Sequence, residues 1–260
     1  MKEKRFAGIG RFVWHELATG DVDVAVDFYG RLFGWDFREG SRPSRERDRI
    51  FSVGNVDLGR IIPLHEADTA PPSWLPFVTV EDVDRSIADA LNLGGGVVSS
   101  PSSIAGFGEY ALLHDPSGAQ VAVFTGGDPD EDLDEGPPRP GTFIWNDVIS
   151  RNPEESAKFY CGLFGWQLFK MDLGSQGTYL LMKRGEVNEG GIIRKPEEAE
   201  GPSTWLPYVA VEDLANSCAK AARDGGSILV PPSDLHGAGT YAVIADPAGA
   251  ILALFEAASG

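Results

Sequence analysis

The chain has 260 residues, 42% of them hydrophobic and 23% charged, with a formal net charge of −17. That length holds two domains of ordinary size, and so acidic a balance argues against nucleic acid and anionic membrane surfaces as partners. No stretch approaches the roughly 18 apolar residues of a membrane span, residues 1–12 (MKEKRFAGIGRF) lack the apolar run of a signal peptide, and Cys161 and Cys218 fall in helical patterns that read as reduced thiols, so the expected compartment is the cytoplasm.

In chain order, Phe12 to Leu17 reads as a strand whose face Phe12, Trp14, Glu16 alternates with Val13, His15, Leu17. Thr19 to Phe33 reads as a helix, with acids in its first turn and an apolar stripe of Val22, Val26, Tyr29 and Phe33. Ile50–Val53 and Leu58–Leu64 are short strand candidates. The pattern then restarts. Pro76 to Val80 is a strand, and Glu81 to Leu93 is a helix that stops at Gly94-Gly95-Gly96. Strands follow at Val97–Ser99, Tyr110–His114 and Gln120–Phe124, the last entered through the turn Asp115-Pro116-Ser117-Gly118. Between them, Pro101–Tyr110 is rich in Gly and Ser; it reads either as a mobile cleft cover or as a hairpin connection. Its Gly-x-Gly is no nucleotide fingerprint, because it does not open a helix in a βαβ unit.

Residues 126–140 (GGDPDEDLDEGPPRP) carry six acids and one base, a composition that cannot bury apolar area, and read as a linker. Beyond it the chain repeats itself. A constant offset of 131 residues brings Trp14 onto Trp145, Phe28-Tyr29 onto Phe159-Tyr160, and Leu32-Phe33-Gly34-Trp35 onto Leu163-Phe164-Gly165-Trp166. The same shift brings Trp74-Leu75-Pro76 onto Trp205-Leu206-Pro207, Asp115-Pro116-x-Gly118 onto Asp246-Pro247-x-Gly249, and Phe124 onto Phe255. A repeat this long is a duplicated domain; solenoid repeats run about 20–50 residues. The second copy starts its first helix more explicitly, with Asn152 as cap, Pro153 at N1, and Glu154 and Glu155 beside the positive dipole end. The expected organisation is a first domain at 1–126, the linker at 127–140 and a second domain at 141–260. Each holds two strand–helix–strands modules, an α+β class.

The repeated motifs Asp21-Val22-Asp23…Phe28-Tyr29…Leu32-Phe33-Gly34-Trp35, Val80-Glu81-Asp82-Val83-Asp84 and Asp115-Pro116-x-Gly118 resemble the vicinal oxygen chelate superfamily of glyoxalases, bleomycin-resistance proteins and extradiol dioxygenases. The likeness extends to two-domain actinobacterial members of hydroxylase-like or antigen-like description. It implies four βαβββ modules in two tandem domains. It also implies metal ligands at fixed places: one early on each first strand, and a Glu four residues after the glycine of DPxG. Counting from the motifs, these positions hold Trp14 and Trp145, Leu75 and Leu206, and Ala122 and Ala253. The remaining position falls near Gly59–Ile61 and Gly190–Ile192, where neither a carboxylate nor a His stands. A divalent ion needs nitrogen or oxygen donors, so no metal and no other cofactor is expected.

His15 lies one residue past a ligand position, so alternation points it to the opposite face. Its counterpart is Asn146, and His65, His114 and His236 have no His counterparts. A metal-dependent glyoxalase or dioxygenase would need the first strand to shift register by one. Glu256 follows the DPxG glycine by seven residues and reads as a strand-end residue.

What remains is an aromatic surface with a carboxylate. Trp14 and Glu16 share a face, as do Trp145 and Asp147; Phe77 and Phe124 join the first set and Tyr208 and Phe255 the second, with Tyr110 and Tyr241 at the following hairpins. Such a set suits a planar aromatic ligand of aromatic-polyketide or antibiotic type, stacked on rings and oriented by one carboxylate. The implied roles are sequestration, resistance or help to a biosynthetic enzyme. Alternatively, Glu16 or Asp147 acts as the base of a cofactor-independent hydroxylase, isomerase or cyclase. Trp14 and Trp145 also fit as plugs of small sheet cores. Trp35 and Trp166 read as packing residues, and Trp74 and Trp205 as core or rim. A buried Glu16 or Asp147 demands a polar partner, water or an opening. The chain is expected to be a monomer or a homodimer.

Overall fold

The computed structural model describes residues 8–40, 48–64, 70–104, 108–126, 139–174, 177–235 and 237–258. His65, His236 and most of the acidic linker lie outside them. Four modules follow one another. The first is β1 (Phe12–Thr19), α1 (Val22–Phe33), β2 (Asp36–Glu39), β3 (Arg49–Val53) and β4 (Val56–Pro63). The second is β5 (Ser73–Thr79), α2 (Val83–Asn92), β6 (Gly96–Ile104), β7 (Gly108–His114) and β8 (Gln120–Gly126). The third is β9 (Phe143–Ser150), α3 (Pro153–Phe164), β10 (Gln167–Asp172), β11 (Thr178–Arg184) and β12 (Val187–Arg194). The fourth is β13 (Thr204–Ala210), α4 (Leu214–Arg223), β14 (Ser227–Asp234), β15 (Gly239–Ala245) and β16 (Ile251–Ala257). Hydrogen bonding orders the strands β2-β3-β4-β1-β5-β8-β7-β6 in one mixed sheet and β10-β11-β12-β9-β13-β16-β15-β14 in the other.

Each module obeys one local logic. Its first strand pairs in parallel with its last, which the intervening helix makes possible. Each helix begins at a side-chain cap: the Asp21 carboxylate accepts from the backbone N–H groups of Asp23 and Val24, and Asp82, Asn152 and Asp213 do the same for Arg85, Glu155 and Asn216. Such a cap contributes about 1 kcal/mol. Helix α1 ends at Gly34 and α3 at Gly165, both at φ +70°, a conformation without penalty only for glycine.

Several elements differ from the sequence expectation. Thr19 does not open α1; it is the last residue of β1, its carbonyl accepts from the N–H of Leu64, and Asp21 caps the helix instead. Strands β2 and β10 are additional, and their sequences DFRE and QLFKMD lack the alternation that marks a strand. The described residues of the Gly- and Ser-rich stretch Pro101–Tyr110, and of its counterpart Pro232–Tyr241 in the second copy, belong mostly to hairpin strands. Pro101, Pro231 and Pro232 sit in the edge strands β6 and β14, where register shifts absorb them.

By packing, the chain forms two compact units, each drawing on both sequence repeats. One comprises Met1–Val13, Pro76–Glu135 and Asn146–Trp205; the other comprises Trp14–Leu75, Gly136–Trp145 and Leu206–Gly260. The core of the first joins Val78, Val83 and Leu113 to Phe159, Tyr160, Trp166, Leu180 and Trp205. The core of the second joins Leu17, Phe28, Tyr29, Trp35, Phe51 and Trp74 to Val209, Leu214, Ile244 and Leu254. Both DPxG turns belong to this arrangement. In one unit the Asp115 carboxylate accepts from the N–H groups of Ser117 and Ala119 and from Ser156 Oγ at 2.5 Å. In the other, Asp246 accepts from the N–H groups of Ala248 and Ala250 and from Tyr29 Oη at 3.0 Å. The indole Nε1 of Trp166 donates to the Gly10 carbonyl at 2.9 Å, and that of Trp35 donates to Gly141 at 2.7 Å. Among the described residues, no helix is long and apolar enough to cross a membrane.

Candidate functional site

Alternation along each strand divides the candidate residues from the helix-packed cores. In the first module, Leu17, Phe51 and Ile61 face the core with α1. Trp14, Glu16 and Arg60 occupy the opposite, helix-free face, because β1 and β4 pair with Glu16 beside Arg60. Glu16 accepts a charge-assisted hydrogen bond from Arg60, and both side chains are nearly excluded from water. This is the polar partner that burial of Glu16 requires. Trp14 is 6% exposed. His15 points the other way and stacks on Phe143, with ring centroids 3.7 Å apart.

The third module repeats the geometry with different chemistry. The partner of Asp147 across the β9–β12 register is Gly191, which brings no side chain. Tyr179 on β11 supplies the contact instead, its hydroxyl donating to Asp147 Oδ1 at 2.8 Å. Asp147 is buried, while Tyr179 and Trp145 are half-buried. Further along β12, Glu189 accepts from Arg184 Nε at 2.7 Å; burial raises its carboxyl above the ordinary range, and Arg184 and Arg11 pull against that rise.

The second and fourth modules carry rings. On the helix-free face of β5, β7 and β8, Phe77 lies 5.6 Å from Tyr110 and 6.5 Å from Phe124, all three buried. On β13, β15 and β16, Tyr208 lies 6.4 Å from Tyr241, and Phe255 pairs with Tyr241 across the ladder. Tyr241 and Phe255 are half-buried. Trp35, Trp166, Trp74 and Trp205 all belong to helix-packed cores. Glu256 plays a structural part, since its carboxylate accepts from the N–H of Leu214 at 2.7 Å and caps α4 alongside Asp213.

Arg60 and Tyr179 are the site residues that sequence reasoning missed. Arg60 lies within Gly59–Ile61, where the resemblance implies the remaining ligand, and its signal is the β1–β4 register. Tyr179 has no signal short of the three-dimensional approach of β11 to Asp147.

The metal ligands that the resemblance implies do not fit this donor set. The mapped positions hold indole, Leu and Ala side chains, and the remaining one carries the Arg60 guanidinium, a cation where a cation would bind. Among the described residues, no group of three or more His, Cys, Asp or Glu is arranged to hold an ion.

Comparison with known proteins agrees with this architecture. Residues 145–254 match the family model described as Glyoxalase/Bleomycin resistance protein/Dioxygenase superfamily, and residues 14–124 match the Glyoxalase-like domain. The provisionally named glyoxylase CFP32 of Mycobacterium tuberculosis (strain CDC 1551 / Oshkosh) is 30% identical, over 94% of this chain and 94% of its own. The anthracycline biosynthesis protein DnrV of Streptomyces peucetius is 27% identical, over 98% of this chain and 96% of its own. Among solved structures, the Mn(II)-bound glyoxalase of Novosphingobium aromaticivorans superposes with a TM-score of 0.65 at 17% identity, covering 96% of this chain and 82% of that one, a likeness of fold. The chain therefore belongs to the glyoxalase/bleomycin resistance protein/dioxygenase superfamily, as a tandem of two glyoxalase-like domains.

Proposed function

We propose that the protein binds a planar aromatic small molecule of the aromatic-polyketide kind, without a resident divalent metal, and serves to sequester it or hand it to a biosynthetic enzyme. The observation that carries this reading is the exchange of donors at the mapped ligand positions. Indole and alanine stand there, and the nearby carboxylates are already hydrogen-bonded to an arginine or a tyrosine. Rings offer stacking area and a bound carboxylate offers orientation, which together suit a flat ligand with polar edges. The relation to DnrV, a protein named for anthracycline biosynthesis, favours polycyclic aromatic ketones over other flat ligands.

Two measurements on freshly purified protein test it. Plasma mass spectrometry is expected to find no stoichiometric transition metal, before or after incubation with iron, zinc, nickel and manganese. Calorimetric titration with a panel of hydroxylated anthraquinones is expected to show saturable binding at micromolar protein. A stoichiometric metal, or no saturable binding across the panel, overturns the reading.

A further inference from the structure

The two copies of the carboxylate handle are not equivalent. In the first module Glu16 is locked to Arg60, with side chains 7% and 6% exposed. In the third module the position of Arg60 is taken by Gly191 and that of Asp48 by Tyr179. A Cβ built on Gly191 would lie 1.9 Å from Tyr179 Oη. Glycine is therefore the residue that lets the phenol reach Asp147, and an arginine at this position would exclude it.

Building on the aromatic-ligand reading, we propose that the copies have diverged into one recognition site and one closed structural copy. Asp147 is the acceptor for a hydrogen-bond donor on the ligand's edge, Tyr179 is its movable cover, and the Glu16–Arg60 pair keeps the first copy shut. Uncovering Glu16 would separate a buried carboxylate from a guanidinium, which leaves two uncompensated charges. Uncovering Asp147 exchanges one phenol–carboxylate hydrogen bond for one from the ligand, a nearly balanced trade. The ligand class follows: a planar aromatic carrying a hydroxyl or protonated amine.

Titration at pH 6 with 2,6-dihydroxyanthraquinone, whose hydroxyls have no internal acceptor and are free to donate, and with unsubstituted anthraquinone tests this. The dihydroxy probe is expected to bind once per chain. The unsubstituted probe, and the dihydroxy probe against the isosteric Asp147→Asn, should each bind about tenfold more weakly, the worth of one good hydrogen bond to a charged group. Tyr179→Phe removes the internal competitor and should tighten binding of the dihydroxy probe, a gain that a merely structural tyrosine would not produce. The double variant Glu16→Gln/Arg60→Met, which leaves no orphan charge, should bind like the parent. Two equal sites per chain, a loss confined to the double variant, or Tyr179→Phe weakening binding as Asp147→Asn does would each overturn the divergence and leave the ligand reading standing. Absence of saturable binding by the parent protein with both probes overturns the ligand reading and this inference together.

Discussion

At the scale of single residues, the DPxG aspartates show how a motif read for its turn chemistry holds two elements at once. Asp246 is buried, and burial raises its carboxyl above the ordinary value, while the N–H of Ala250, the Tyr29 hydroxyl and the N–H groups of Ala248 and Gly249 pull it back. Tyr29 is pushed well above the usual phenol value by burial first and by Asp246 second, so its proton stays in place at any ordinary pH. A carboxylate whose folded value is raised favours folding most when protonated. Its contribution is complete below the unfolded value of about 3.9 and is lost as pH rises through the folded value. Asp246→Asn removes that titration. The stability of the parent relative to Asp246→Asn should therefore decline as pH rises from about 4 toward 7, read as the difference between urea unfolding midpoints. A difference that stays flat or grows with pH would show that Asp246 is not raised. Asp115 sits in the equivalent environment, and its carboxyl is raised by the same cause. The residues that escaped the sequence reading are of a different sort. Glu16 and Asp147 were legible from strand alternation, but Arg60 depends on which residue of a neighbouring strand stands opposite, and Tyr179 reaches Asp147 from β11 across the intervening β12. A one-residue slip would exchange every face, and nothing local records the register.

At the scale of elements, most of the fold was legible because the chain states each pair of modules twice. Caps, apolar stripes and DPxG turns recur at one offset, and a weak signal in one copy is repeated in the other. Strands β2 and β10 were not legible, because β2 is short and mostly polar and the apolar residues of β10, Leu168, Phe169 and Met171, do not alternate. The glycines separate two kinds of constraint. Gly34 ends α1 at φ +70°, and nothing lies within 4 Å of where a Cβ would stand, so its demand is conformational only. Gly34→Ala should cost about 1–2 kcal/mol, the penalty of a left-handed residue with a Cβ, and Gly34→Asn less. Gly59, on β4, lacks a positive φ, yet a Cβ there would lie 2.0 Å from the His15 carbonyl oxygen and 2.3 Å from the Phe51 ring. Gly59→Ala should therefore cost distinctly more than Gly34→Ala, because backbone and a buried ring must both move. Paired urea titrations give the order, and a Gly34 variant costlier than the Gly59 variant would contradict this account.

At the scale of the whole molecule, the unit of duplication and the unit of packing are different objects. The sequence repeat runs through modules one and two and again through three and four. Each hydrophobic core, however, is built mainly from one module of each repeat, with Trp74 of β5 added to one and Trp205 of β13 to the other. The hydrogen bonds follow the cores: Tyr29 to Asp246, Ser156 to Asp115, Trp35 to Gly141 and Trp166 to Gly10 all join residues of different repeats. Cutting the chain in the acidic stretch would leave each fragment with half of both cores, exposing rings such as Tyr29, Trp35, Phe159 and Trp166 and leaving Asp115 and Asp246 without their hydroxyl partners. Residues 1–126 and 139–260, expressed separately, should therefore lack cooperative thermal unfolding and bind a hydrophobic dye. Mixed at equal concentration, they should recover one cooperative transition and form a one-to-one complex, with a midpoint that rises with fragment concentration because association is then part of folding. Calorimetry and sedimentation of the fragments alone and mixed provide the measurement. Cooperative unfolding of monomeric residues 1–126 by themselves would show that a single repeat closes its own core, contrary to the pairing of modules in both cores.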